Sequence, residues 1–139
     1  MADVVTSQTI VDTSGTKTVM KFTNICDGSG ETLVTKMDAS ALTFMTEDAT
    51  KKIAKIYWAI NTTNGKSGVE ILWAGSDTSS ADATIGFFSG TGFHDYNVAG
   101  NSIPNNATLT ANTSPAGDIL ISTKGFVAGD NYTIIIEVR

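Results

Sequence analysis

The chain has 139 residues, 41% of them apolar and 17% charged, with a net charge of −5 and a pI near 4.6. That length predicts one domain, residues 1–139, able to bury about two-thirds of its unfolded surface without staples. Nine scattered Lys and Arg in an acidic chain argue against nucleic acid as a partner, and the hydropathy argues against disorder.

Neutral polar residues take the place of charge, which suits a β-rich fold with many turns. The single cysteine, Cys26, forms no internal disulfide, so the fold does not depend on an oxidising compartment. The stretch from Met1 to Ser14 lacks a basic segment followed by an apolar one, and no run approaches a membrane span. The expectation is a chain made in a cytoplasm, with no membrane partner. Asn-x-Ser/Thr sites at Asn61, Asn106, Asn112 and Asn131 carry no signal without a secretory route.

Asp3 to Val11 reads as an extended arm or an edge strand. Val4, Thr6 and Gln8 alternate with Val5, Ser7 and Thr9, and neither side is cleanly apolar. Val4, Val5 and Thr6, within an arm spanning residues 1–12, are candidate binding residues. Thr13-Ser14-Gly15 is a turn. Lys17 to Cys26 is a strand with Met20 and Phe22 pointing inward. Asp27-Gly28-Ser29-Gly30 turns it back into Glu31 to Met37, which predicts a loose hairpin. From Asp38 to Thr50 the expectation is a single helical turn or a loop, with Asp38 or Ser40 as N-cap and Leu42 and Phe44 buried.

Lys52 to Gly75 carries the strongest local signal: two apolar runs flank Asn64-Gly65, the pair favoured in type I′ hairpins because both central residues need positive φ. Counting outward pairs Ile60 with Val69, Trp58 with Ile71 and Ile56 with Trp73 on one side of a hairpin. Ala59 with Glu70 and Tyr57 with Leu72 fall on the other. Ser76 to Asp82 is a loop. Ala83 to Ser89 is a short strand, and Gly86, Gly90 and Gly92 mark bulges or close backbone approach. Asn97 to Asn106 is a polar loop, Ala107 to Ala111 a short strand, and Thr113 to Gly117 a turn. Gly117 to Thr123 and Tyr132 to Val138 are the last strands, joined by a turn at Val127-Ala128-Gly129-Asp130. About eight or nine strands and at most one helical turn predict an all-β fold, an antiparallel β-sandwich or jelly roll.

Little in the chain suggests chemistry. His94 is the only histidine, and Cys26 lies on a strand that feeds the core. No serine sits in a G-x-S-x-G elbow, and one Cys and one His are too few for zinc. Asp27-x-Ser29-x-Glu31 has the spacing that opens a calcium loop, but no later bidentate acid completes it, so a plain turn is expected. Glu70 reads as an outward charge on a half-solvated sheet, not as one of a catalytic carboxylate pair with Glu31, Glu47 or Glu137. The chain therefore reads as a non-enzyme without cofactor or metal. Phe93, His94 and Tyr96, in a Gly-flanked loop, are the candidate contact residues, either as interface anchors or folded back over the sandwich.

The segment Gly117-Asp118-Ile119-Leu120-Ile121-Ser122-Thr123-Lys124-Gly125-Phe126, with Ala128-Gly129-Asp130 and Tyr132 to Val138, resembles the ending of small all-β structural proteins of tailed bacteriophages. Ile71-Leu72-Trp73, Gly90 to Tyr96 and Ile103 to Asn106 resemble their middle portion, and Asp38-Ala39-Ser40-Ala41-Leu42 their first half. The resemblance departs over Ser76 to Asp82 and Thr108 to Pro115. It implies a virion component on the capsid exterior, a decoration (cement) protein whose partner is the major capsid protein and whose assembly is a homo-oligomer, a trimer by preference. The alternative it implies is a tail, neck or fibre-tip module that binds a host receptor or glycan.

Overall fold

Alternation of β-branched and aromatic residues with polar ones holds most of the chain extended, and the extended segments pair into two antiparallel sheets. The computed structural model describes residues 3–46, 52–74, 83–96 and 118–139. Its strands are β1 (Val4–Thr13), β2 (Lys17–Ile25), β3 (Val34–Met37), β4 (Ile53–Asn61), β5 (Gly68–Trp73), β6 (Ala83–Phe88), β7 (Thr91–Asp95), β8 (Ile119–Lys124) and β9 (Asn131–Val138). One sheet has the order β1-β2-β9-β4-β7, the other β3-β8-β5-β6.

The two sheets face each other across a single core. β9 contributes Tyr132, Ile134, Ile136 and Val138, β2 contributes Met20 and Phe22, and β4 contributes Ile56 and Ile60. Met37, Val69, Ile71, Trp73, Ile119 and Ile121 meet them from the second sheet. Each fully buried side chain of this kind stabilises the fold by about 1.5–3 kcal/mol. The all-β sandwich and the inward Met20 and Phe22 are as the alternation predicts.

The pairing differs from that expectation at the centre. β4 hydrogen-bonds to β7 and β9, whereas β5 hydrogen-bonds to β6 and β8, so the Lys52–Gly75 stretch is not a hairpin. Asn64-Gly65 lies in an arch that carries the chain from one sheet to the other. Neither residue has a positive φ. The turn closes from Ser67 N to Asn64 O at 3.0 Å, and the Asn64 side chain accepts from Lys66 N at 3.0 Å. The apolar sides of β4 and β5 do face each other, but across the core. The expected hairpin between Lys17 and Met37 opens in the same way: β2 pairs with β1 and β9, and β3 with β8. Among the described strands, only β1–β2 and β5–β6 are consecutive in the chain and neighbours within one sheet.

The link from β3 to β4 holds a short 3-10 turn, Ala39–Ala41, whose N-cap Asp38 accepts from Ser40 N at 3.0 Å. A four-residue helical turn, α1 (Thr43–Thr46), follows. Its first amides are capped from β1: Thr43 N and Phe44 N donate to the Asp12 carboxylate at 2.7 and 2.9 Å. Leu42 and Phe44 are buried, as expected. The close backbone approach predicted at Gly92 is also present. A Cβ there would collide with the Trp58 ring, which packs at a tilt against Phe88 with centroids 4.8 Å apart. The loops expected over 76–82 and 97–106, the strand over 107–111 and the turn over 113–117 lie outside the described residues.

Candidate interaction surface

The outer sides of the two sheets differ. On the four-stranded sheet Leu72, Ala74 and Leu120 form a small buried cluster, and Glu70 and Ser122 beside them are buried too. On the five-stranded sheet the outward side chains are part-exposed to exposed, apart from the buried Glu137. Its register sets Thr6, Thr23, Thr133, Ala59 and Thr91 in one row across all five strands. The next row runs Gln8, Lys21, Ile135, Tyr57, Phe93. Charge gathers in the row beyond, where Lys55 meets Asp95 at 3.7 Å and Glu137 meets Lys17 at 3.6 Å and Arg139 at 2.8 Å. The remaining rows are neutral except for Lys21. At a strand spacing of about 4.8 Å, five strands make a platform close to 20 Å wide.

The sequence-derived candidates sit at the two edges of this sheet. Val4, Val5 and Thr6 belong to β1, which among the described strands pairs only with β2, along one of its edges. Val4 is 59% exposed, Val5 42% and Ile10 49%, so this end of β1 is solvated on both sides. Phe93 and His94 belong to β7, the opposite edge strand; the segment is therefore not a loop, and its side chains diverge. Phe93 lies on the outer side opposite Tyr57 and is 61% exposed. His94 sits opposite Ile56 and stacks on Tyr96, with ring centroids 4.2 Å apart. Tyr96 packs against the core, and burial raises the pKa of its phenol. Tyr96 is thus the residue folded over the core, and Phe93 the exposed one.

Two polar clusters escaped the sequence reading. At a bulge in β3, where register shifts between Thr35 and Met37, Lys36 joins Met37 in the interior. Its ammonium lies 2.5 Å from a Glu31 carboxylate oxygen, and the other Glu31 oxygen accepts from the Tyr132 hydroxyl at 2.5 Å. Burial, then the Glu31 hydrogen bond, pushes the Tyr132 phenol strongly upward. Glu31 is thereby a core ion-pair partner, and a charge inside an apolar strand was the available signal. Glu70 is also not the half-solvated charge expected. It is 8% exposed, accepts from the Thr84 hydroxyl at 2.6 Å and pairs with Lys124 at 3.4 Å.

The second cluster brings ligand atoms of Asp3, Cys26 and Asp27 within 4.8 Å of one another. Protein donors occupy its oxygens: Asp27 N and Asn24 Nδ2 donate to Asp3 at 2.9 Å each, and Ser29 N and Oγ donate to Asp27. The Ser29 hydroxyl and amide, with Asp3, bring Asp27 down to about 2. The cluster fastens the start of β1 to the end of β2. Asp130 does similar work at the other links, accepting from Val127 N at 2.9 Å and Thr63 N at 3.0 Å. The Val127 amide, against burial, holds its carboxyl below the usual range.

Comparison with protein-family models, with curated proteins and with solved structures finds no match.

Proposed function

We propose that this chain is a non-enzymatic structural protein of a tailed-bacteriophage particle, a capsid decoration protein that docks on the shell exterior and bridges neighbouring capsomers. The observation that carries the reading is the neutral five-stranded face with the β1 edge that no described strand covers. A ten-residue edge strand solvated on both sides offers a row of backbone donors and acceptors for strand addition. The neutral Thr row and the Tyr57–Phe93 pair beside it supply contact area with few charges to desolvate. The likeness of Gly117 to Val138 to phage virion proteins supports the same reading. The partner is the major capsid protein, and a homotrimer at local three-fold positions is the assembly that suits the role.

The test is the copy number of the chain in purified particles relative to the major capsid protein, with a variant lacking residues 1–9 run in parallel. The expected result is a stoichiometry on the scale of the capsid subunits, and loss of particle binding by the truncated, still folded protein. A handful of copies moves the chain to the tail, neck or portal. Absence from particles removes the virion reading altogether.

A further inference from the structure

Where β5 begins, Gly68 lets the Phe88 backbone come close: a Cβ there would lie 2.6 Å from the Phe88 carbonyl oxygen. The neighbour of Gly68 on β8 is Lys124, and one step along β5, Glu70 pairs with Phe87 of β6. Beside this approach lies a cleft of about 200 Å³ lined by Lys66, Gly68, Phe87, Ser89 and Lys124. Phe87 is 72% exposed, while its neighbour Phe88 is committed to the stack with Trp58. Lys124 keeps a side chain 56% exposed and shares Glu70 at 3.4 Å. Among the described residues no carboxylate pairs with Lys66. Among the described residues, two ammonium groups stand against one carboxylate here, in a chain whose net charge is −5.

We propose that this cleft binds a carboxylated sugar unit, a uronate or a sialate, within a glycan chain. Three features converge on that chemistry. The aromatic face of Phe87 carries negative quadrupole charge and suits the polarised C–H face of a pyranose ring. Lys66 and Lys124 supply charge-assisted hydrogen bonds to a carboxylate. The volume is below the range of about 300–1,000 Å³ typical of sites that enclose a whole small ligand. A cleft of that size, open to solvent, fits one unit of a longer chain lying across it. An acidic peptide side chain satisfies the lysines but leaves the Phe87 face uncovered. The cleft lies on the opposite sheet from the docking face proposed above, so the inference stands apart from virion attachment, and both surfaces can be occupied together.

The experiment is an NMR titration of the full chain with trigalacturonate, sialyllactose, methyl-esterified trigalacturonate and a tetraglutamate peptide. The expected result is saturable binding of one or both carboxylated sugars, with shifts confined to the cleft and no binding of the neutral ester. Which acid binds distinguishes uronate from sialate. Phe87→Ala and Lys66→Gln, both at exposed positions, are expected to weaken binding by about tenfold or more each, with unchanged circular dichroism. Failure of both acidic sugars to bind overturns the proposal. So does binding that ignores both substitutions, and tetraglutamate binding as tightly as the sugars assigns the cleft to an acidic peptide instead.

Discussion

Lys36 shows how one residue sits against its own chemistry. Its side chain is 3% exposed and that of its partner Glu31 is 6% exposed, so neither charge has water to fall back on. Glu31 is further fixed to β8, its amide donating to the Thr123 hydroxyl at 2.8 Å and its carbonyl accepting from Thr123 N at 2.9 Å. Removing one charge of such a pair strands the other. Lys36→Met is therefore expected to lower stability by about 3–5 kcal/mol. Lys36→Met combined with Glu31→Gln keeps a hydrogen-bonding group for Tyr132 and removes the stranded charge, so it should recover a good part of that loss. Urea unfolding of the two variants decides the matter; equal losses would mean that packing, not charge, sets the cost.

At the scale of the element, the arch between β4 and β5 makes a prediction that separates it from a hairpin. Gly65 has no positive φ, and a Cβ added there meets nothing within 4 Å. Gly65→Ala should thus be neutral or stabilise by up to about 1 kcal/mol, through the reduced freedom of the unfolded chain. In a type I′ turn the same change would cost about 1–2 kcal/mol, because alanine resists the left-handed region. A thermal melt of this one variant tests the connection. The register of β4 and β5 was legible only in part. Alternation says which side chains turn towards the core. It is silent on whether two apolar sides meet side by side in one sheet or across the gap between two, since both arrangements bury Ile56, Ile60, Val69, Ile71 and Trp73 equally.

At the scale of the whole molecule, four carboxylates among the described residues respond to pH in opposing ways. Burial pushes Asp12 up, but the Phe44 and Thr43 amides and the Thr18 and Thr43 hydroxyls outweigh it and hold the group below its ordinary 3.8. Asp27, near 2, and Asp130 are lowered as well, whereas burial raises Asp118 above its ordinary value despite the Ala39 amide. A lowered carboxyl contributes stability that is complete above its unfolded pKa and is lost as pH falls through the folded value. Asp118 contributes with the opposite sign. The three lowered groups predict a urea midpoint that falls as pH drops from about 5 to about 2. Asp12→Ala, which uncaps α1, should cost about 0.5–2 kcal/mol near neutrality and less in acid. A midpoint that is flat or rises on acidification would show that desolvation of Asp118 dominates.

The sequence by itself determined the class of fold, the inward side of β2, the burial of Leu42 and Phe44 in a short link without a full helix, and the close approach at Gly92. Each of these rests on a local pattern: a period of two, a cap, a missing side chain. It also placed the contact candidates Val4, Val5, Thr6 and Phe93 on surface segments, though not on the two edges of one sheet. Only the tertiary structure decided which strands pair, that Lys36 and Glu31 meet inside the sandwich, and that Lys66, Phe87 and Lys124 line one cleft. The reason is physical. Strand pairing in a sandwich is a long-range choice among arrangements of nearly equal apolar burial, and a strong local turn such as Asn64-Gly65 fits an arch as readily as a hairpin. The choice is made by the summed packing of both sheets, which no single stretch of the chain encodes.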